Sequence, residues 1–145
     1  MIIVKKITAL ETYTVRHKVL RKGKTIDTCI FNGDNDSTTI HFGLFEEKKI
    51  IGVVSVYQAK CTLFNDKIQY QIRGMAILES YQNKGFGKNL LSVAEQFCWT
   101  EKANIIWFNA REKAVSFYTK LRYEIIGDSF NIPDVGIHFV MFKRN

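Results

Sequence analysis

The stretch Gln82-Asn83-Lys84-Gly85-Phe86-Gly87 decides the fold of this chain. The apolar run at 74–78 predicts a strand before it, and a segment with helical periodicity follows it. A strand that enters a glycine-rich turn at a helix start leaves several backbone N–H groups unpaired. The helix dipole adds partial positive charge at the same point. The stretch therefore predicts a phosphate-binding turn.

The segment after Gly85 predicts an amphipathic helix. Its buried face is expected to hold six residues at helical spacing: Gly87, Leu90, Leu91, Ala94, Phe97 and Cys98. Beyond it, the pattern predicts a buried strand at 104–109, a second amphipathic helix at 111–121, and strands at 123–126 and 137–142. Helices and strands therefore alternate in the C-terminal half.

The N-terminal half opens with a strand at 2–6 and a helix. Thr8 and Glu11 form a capping-box pattern at the start of that helix, and Gly23 ends it after about Lys22. Its thin apolar face is predicted to begin at Leu10 and to continue at Thr14, His17 and Leu20 or Arg21.

Strands at 38–45 and 50–60 read as a hairpin, and a further strand begins at Asp66 with a bulge or close approach at Gly74. The order of elements predicts an α/β (α+β) fold. A mixed, mostly antiparallel central sheet of about six or seven strands is flanked by helices, in one domain over residues 1–145.

The polar segment 32–37 predicts a solvated turn. It resembles a calcium loop at first sight, but neither the glycine nor the distant glutamate of that loop falls in register.

Composition excludes several classes of protein. The net charge is +7, but the basic residues are scattered, and no recognition-helix or aromatic-plus-basic pattern indicates nucleic acid. No apolar stretch is long enough to cross a bilayer, and the order of residues 1–6 does not fit a secretory signal. Cys29, Cys61 and Cys98 have neither zinc-site nor disulfide spacing, so we expect reduced thiols in a cytoplasmic protein and no metal.

Two familiar glycine loops fail on this stretch. A P-loop needs a glycine at Gln82 and Ser or Thr at Asn89. A dinucleotide fingerprint needs a third glycine at Leu90, within a βαβ repeat. A third pattern, Gln/Arg-x-x-Gly-x-Gly/Ala after a strand, fits.

With that pattern, the chain resembles the GNAT superfamily of N-acyltransferases. Two blocks carry the resemblance: residues 72–77 with 81–91, and Phe108-Asn109-Ala110-Arg111 followed by Ala114 and residues 117–123. The chain departs from the usual pattern in having Arg122 in place of a glycine and Glu79 in place of a proline. Gly136-Ile137-His138 also lacks the proline typical of the small bacterial branch that it otherwise resembles.

The resemblance implies acetyl-CoA as cosubstrate. Its pyrophosphate would be held by Gln82, Asn83, Lys84, Gly85, Phe86, Gly87 and Lys88. The pantetheine arm would pair with the strand at Met75, Ala76 and Ile77 and contact Asn109. The backbone N–H of Ile77 would be the oxyanion donor, and Tyr118 would be the acid that protonates the CoA thiolate.

The expected reaction is direct attack by an amine on the thioester. The general base stays open between Glu79, His138 and water. The acceptor is a small-molecule or protein amine of unknown identity, and a homodimer is possible. Two alternatives stay open as well: a CoA-binding regulatory module without catalysis, and an acyltransferase with another acyl group or a non-amine acceptor.

Overall fold

The computed structural model describes residues 1–145. It contains seven strands and three α-helices. The strands are β1 (Ile2–Ile7), β2 (Ile40–Glu46), β3 (Lys49–Gln58), β4 (Gln69–Ile77), β5 (Ile105–Arg111), β6 (Glu124–Ile132) and β7 (Gly136–Arg144). The helices are α1 (Ala9–Leu20), α2 (Phe86–Thr100) and α3 (Val115–Lys120).

All seven strands form one sheet in the order β1-β2-β3-β4-β5-β7-β6. Only β4 and β5 run parallel, and every other neighbouring pair is antiparallel. The predicted mixed, mostly antiparallel sheet flanked by helices is confirmed.

The two faces of the sheet are covered by different helices. The main hydrophobic core lies on the face of α2, which buries the predicted residues Leu90, Leu91, Ala94 and Cys98. Residues of α3 pack against the same core. On the opposite face, Val15 of α1 packs against Val53 and Ala76. Below, these are called the α2 face and the α1 face.

Helix α1 starts as predicted and buries a different face. The capping box of Thr8 and Glu11 is present, but the helix ends at Leu20, two residues before the predicted end. Leu10 is 74% exposed, so the predicted apolar face is wrong. The buried residues are instead Ala9, Thr12, Val15 and Arg16. Two of these four are polar, which is why hydrophobic spacing did not identify the face.

The buried Arg16 is neutralised by the turn at 32–37. Its guanidinium forms two hydrogen bonds with the carboxylate of Asp34, at 2.6 and 3.1 Å, and further bonds with the Ser55 and Tyr57 hydroxyls. Asp34 is only 4% exposed, so the prediction of a solvated turn is wrong at this position. A charge can be buried in this way only because it is paired and hydrogen-bonded.

The second predicted C-terminal helix is shorter than its periodicity suggested. β5 continues to Arg111, a 3-10 turn follows at Glu112–Ala114, and α3 covers only Val115–Lys120. The last two strands are longer than predicted. No helix in the structure is both long and apolar enough to span a bilayer.

Candidate active site

A cleft opens where β4 and β5 separate. Their parallel ladder contains only three pairs and ends at Gln71 and Trp107. Beyond it, two residues of β4, Gly74 and Met75, lie opposite the single residue Val54 of β3, so β4 carries a bulge there. Gly74 has a φ of +65°, which suits glycine. The predicted bulge is confirmed, and the resulting cleft has a volume of about 360 Å³.

The backbone of Ile77 points to the side on which β4 and β5 separate. The Leu78 N–H donates to the Ile51 carbonyl of the neighbouring strand segment at 2.9 Å. Because antiparallel partners alternate, the N–H and C=O of Ile77, one residue earlier, point away from β3. The Ile77 carbonyl accepts a hydrogen bond of 2.8 Å from the Gln82 side chain. The Ile77 N–H lies beyond the end of the β5 ladder and has no strand partner on that side.

The glycine-rich turn presents the start of α2. Gly85 is the N-cap residue with a φ of +84° and supplies no side-chain cap, and Asn83 also has a positive φ of 61°. A Cβ at Gly85 would meet no atom within 4 Å. The first-turn N–H groups of α2 are therefore not covered by a capping side chain. Gln82 ties this turn to the end of β4.

The turn lies beside α3. A Cβ built on Gly87 would come within 3.7 Å of the Phe117 ring and 4.0 Å of the Met75 side chain. Lys84 and Lys88 form no ion pair with a carboxylate. Because Met75 lines the cleft, the turn and the cleft wall are continuous through this residue.

Tyr118 lines the cleft on the α2 face. Its ring packs against Phe108, with centroids 4.4 Å apart, and its hydroxyl forms no hydrogen bond with another group of the protein. Burial raises the pKa of Tyr118 to about 12. The phenol therefore keeps its proton at neutral pH and can donate it.

Strand alternation divides the other cleft residues between the two faces. Ile106, Phe108 and Ala110 belong to the core under α2, so Asn109 and Arg111 project to the α1 face. His138 pairs with Arg111 across the β5–β7 ladder and shares that face. Asn109 lines the cleft from the side opposite Tyr118.

Of the two side chains considered as general base, the structure brings only His138 into the cleft. Its Nδ1 lies 2.8 Å from the Gly136 carbonyl, which can only accept, so Nδ1 carries a proton. In the neutral ring, Nε2 is then the free lone pair, and it has no partner in the protein. Glu79 is exposed and lines a separate depression together with Lys18, Lys22 and Lys49.

Sequence reasoning missed three arginines of the cleft. Arg21, Arg73 and Arg111 line it from the end of α1, from β4 and from the end of β5. A signal was present in the apolar runs Ile72-Arg73-Gly74-Met75 and Phe108-Asn109-Ala110-Arg111, each of which contains one guanidinium at the point where the strands separate. Arg21 carried no such signal.

Comparison with known proteins identifies the family to which the chain belongs. The sequence model of the acetyltransferase (GNAT) family matches residues 8–123. The chain belongs to the GNAT acetyltransferase family. It is 33% identical over 143 residues to "Uncharacterized N-acetyltransferase YitI" of Bacillus subtilis, which is 99% of this chain and 96% of that relative. As a GNAT protein, it is an acyltransferase.

Solved structures share the GNAT fold at low sequence identity. A putative N-acetyltransferase from Lactobacillus plantarum superimposes with a TM-score of 0.81 at 16% identity, covering 99% of this chain and 97% of that one. The ribosomal-protein-S18-alanine N-acetyltransferase from Escherichia coli gives a TM-score of 0.78 at 14% identity, covering 99% and 94%. At such identities the likeness concerns the fold alone.

Proposed function

We propose that this GNAT protein transfers the acetyl group of acetyl-CoA to a primary amine by direct attack within a ternary complex. The observation that carries the proposal is the separation of β4 and β5. It leaves the Ile77 N–H without a strand partner, and Tyr118, whose hydroxyl is unbonded, lines the cleft that opens at this separation.

The glycine-rich turn is proposed to bind the pyrophosphate. Uncapped N–H groups at a helix start suit a phosphate, and Lys84 and Lys88 add positive charge that no carboxylate of the protein neutralises. The pantetheine arm would then lie along Met75, Ala76 and Ile77 as an added strand. Ala76 would contribute through its backbone, since its side chain is buried on the α1 face.

The chemical step uses two groups of the protein. The amine nitrogen bonds to the thioester carbon, and the Ile77 N–H donates to the oxygen on which negative charge develops. One such donor typically contributes ~3 kcal/mol to the transition state. When the C–S bond breaks, the sulfur takes the proton of Tyr118, and the amine gives up a proton to a base.

That base is proposed to be the Nε2 atom of His138 or a water molecule beside it. His138 lies on the α1 face of the cleft, opposite Tyr118, so donation and acceptance of the two protons occur on different sides. The exposed Glu79 lies outside the cleft and is left without this role.

We further propose that residues 1–145 act as one catalytic domain in the cytoplasm. Dimerisation stays a prediction. A CoA-binding module without catalysis would bind CoA at the same turn and release no thiol. An enzyme for a longer acyl group would react faster with that thioester than with acetyl-CoA.

The test is a panel of amines incubated with acetyl-CoA, in which free thiol and N-acetylated product are both measured. The proposal expects thiol release that depends on the amine and equals the product formed. Tight CoA binding without thiol release for any amine would favour the regulatory module. Faster thiol release from butyryl-CoA or another longer thioester would change the proposed acyl group and leave the rest of the proposal intact.

A further inference from the structure

Three guanidinium groups surround one aromatic ring at the α1 face of the cleft. The Cζ atoms of Arg16, Arg73 and Arg21 lie 4.0, 4.9 and 5.1 Å from the centroid of the Phe31 ring. Arg16 is buried and paired with Asp34. Arg73 and Arg21 have no acidic partner, and each is only partly buried.

Arg111 adds a third uncompensated charge to the same cleft. Together Arg21, Arg73 and Arg111 line it without a single aspartate or glutamate. The acidic residues nearest to it in sequence, Glu112 and Asp134, are exposed and do not line it. The pKa of Arg21 is lowered, first by burial and then by repulsion from Arg111, Arg73 and Arg16.

This arrangement has an energetic cost in the free protein. Like charges held together in a partly buried cleft repel, and their solvation is reduced. The Arg73 guanidinium forms no hydrogen bond and no ion pair with any group of the protein, and its charge contacts only the Phe31 and Tyr57 rings. An anion bound between these side chains would relieve the repulsion and accept charge-assisted hydrogen bonds.

The position of the cluster separates it from the phosphates of CoA. Arg73 packs over Phe31 and Tyr57 on the α1 face, while the glycine-rich turn and Tyr118 lie on the α2 face. In the proposed reaction the thioester carbon lies between the two faces, beside the Ile77 N–H. The cluster therefore lies on the side from which the acceptor must approach.

We propose that Arg21, Arg73 and Arg111 bind an anionic group, carboxylate or phosphate, on the acceptor, so that the substrate is an amine that also carries negative charge. This inference rests on the proposed acetyl transfer and specifies its acceptor. It excludes polyamines and other purely cationic amines as good substrates, since they would be repelled by the same cluster.

The cluster also helps the amine to react. An acceptor amine must lose its proton before it attacks, and neighbouring positive charge favours the neutral form. The arginines would thus hold the acceptor by its anion and lower the pKa of its ammonium group. The absence of any carboxylate in the cleft lining is consistent with this role.

The experiment compares matched acceptors on wild-type protein and on Arg73→Gln and Arg111→Gln. Each amino acid of a panel is paired with its own carboxamide, and 2-aminoethylphosphonate is paired with ethanolamine to separate phosphonate from carboxylate. Arg122→Gln removes the same charge from an arginine that lies outside the cleft and forms no ion pair, and it serves as the control. Thiol release gives kcat and KM, and calorimetry gives the affinity for CoA.

The proposal expects the anionic member of at least one pair to have a kcat/KM about tenfold or more above its neutral partner. Arg73→Gln and Arg111→Gln should raise KM for that acceptor about tenfold, with CoA affinity unchanged. Its kcat should fall by less than KM rises, because each variant removes one of the positive charges that favour the neutral amine. The neutral partner should show the small fall in kcat without the rise in KM, and Arg122→Gln should respond like wild type.

Equal KM values for acid and amide in the wild type would overturn the inference and leave acetyl transfer intact. Loss of CoA affinity in both arginine variants would overturn it as well, by assigning the cluster to CoA. If no amine releases thiol, the proposed function fails separately. Calorimetric titration of the same pairs into CoA-saturated protein then decides the inference: tighter binding of the acid, lost in Arg73→Gln, supports it, and equal binding overturns it.

Discussion

At the scale of single residues, the proposed mechanism depends on a tyrosine whose hydroxyl is left unbonded in a cleft. Tyr57, Tyr81 and Tyr123 each donate to a carboxylate, whereas the hydroxyl of Tyr118 donates to no group of the protein. Its raised pKa of about 12 means that it enters the reaction as a proton donor. Its free hydroxyl and the proton that it keeps at neutral pH are what the leaving thiolate needs.

Tyr118→Phe should lower kcat on the order of a hundredfold, because general-acid catalysis typically contributes at least that much. KM for acetyl-CoA should change little, since the ring is retained. Between pH 7 and about pH 10 the wild-type rate should show no fall due to Tyr118, which ionises only near pH 12. Free-thiol release measures both effects.

The matched control is Tyr13→Phe, which also removes a phenolic hydroxyl without a hydrogen bond, from α1 outside the cleft. It should keep full activity. Full turnover by Tyr118→Phe would remove Tyr118 from the mechanism and leave the proton to another donor.

Gly85 is the residue on which phosphate binding depends. Gly85→Val should weaken CoA binding on the order of tenfold or more, because a β-branched residue resists a φ of +84° and displaces the first N–H groups of α2. Gly23→Val is a close control, since Gly23 has a φ of +79° and a Cβ placed there would also meet no atom within 4 Å. Calorimetry should find the CoA affinity of Gly23→Val unchanged. Equal losses of CoA affinity in Gly23→Val and Gly85→Val would mean that the substitutions act through the stability of the fold.

Arg122 is a departure from the family pattern whose effect on stability can be measured. It follows α3 with a φ of +72°, a conformation in which glycine, the usual residue here, is unstrained. Arg122→Gly should therefore raise the free energy of unfolding by about 0.5–1 kcal/mol, after the greater entropy of glycine in the unfolded chain is subtracted. Urea unfolding measures it. A loss of stability would show that the arginine side chain makes a compensating contact.

At the scale of elements, α1 is attached to the sheet through an ion pair in addition to its apolar contacts. Arg16 on the helix, Asp34 in the following turn, and Ser55 and Tyr57 on β3 form one buried network. His41 of β2 joins it through hydrogen bonds with Ser55 and the Asp34 carbonyl. The network positions Phe31, whose N–H donates to Asp34 and whose ring lies in the cleft.

Asp34→Asn should destabilise the fold by about 3–5 kcal/mol, because it leaves the buried charge of Arg16 uncompensated. Asp36→Asn, an exposed residue of the same turn, should be neutral within about 0.5 kcal/mol. Urea unfolding at pH 7 compares the two. Equal stability of both variants would mean that Arg16 is not buried as a charged group.

The Arg16–Asp34 ion pair also predicts how the stability of the fold changes with pH. Burial by itself would raise the pKa of Asp34, but hydrogen bonds from Arg16, Tyr57 and the Phe31 N–H lower it below its ordinary value. A lowered folded pKa gives stability that is present above the unfolded pKa, near 4, and is lost as the pH falls through the folded value. The difference between wild type and Asp34→Asn should therefore shrink below about pH 4.

At the scale of the whole molecule, hydrophobic periodicity predicted those features of the fold that depend on one apolar face of one element. The order of elements and the buried face of α2 followed from spacing, because Leu90, Leu91, Ala94 and Cys98 face one continuous core. The face of α1 did not, because Arg16 is buried by a partner eighteen residues away that composition marks as solvated. An ion pair of this kind can be recognised only once the helix and the turn are positioned next to each other in the fold.

The residues of the candidate site likewise fall into those that the sequence could predict and those that it could not. The glycine-rich turn, Ile77 and Tyr118 lie in local motifs, so the sequence could propose them. The arginine cluster could not be proposed, since Arg21, Arg73 and Arg111 come from three separate elements and meet only where β4 and β5 part. The +7 charge of the chain gave no indication that part of it is gathered in one cleft.

The most direct test of direct attack by the amine is a matrix of initial rates in which the concentrations of acetyl-CoA and of an accepted amine are both varied. Thiol release is the measured signal. Direct attack in a ternary complex predicts reciprocal plots that intersect, with no thiol released in the absence of amine. Parallel plots, together with an acetylated protein mass after incubation with acetyl-CoA alone, would contradict it and require a covalent acetyl-enzyme.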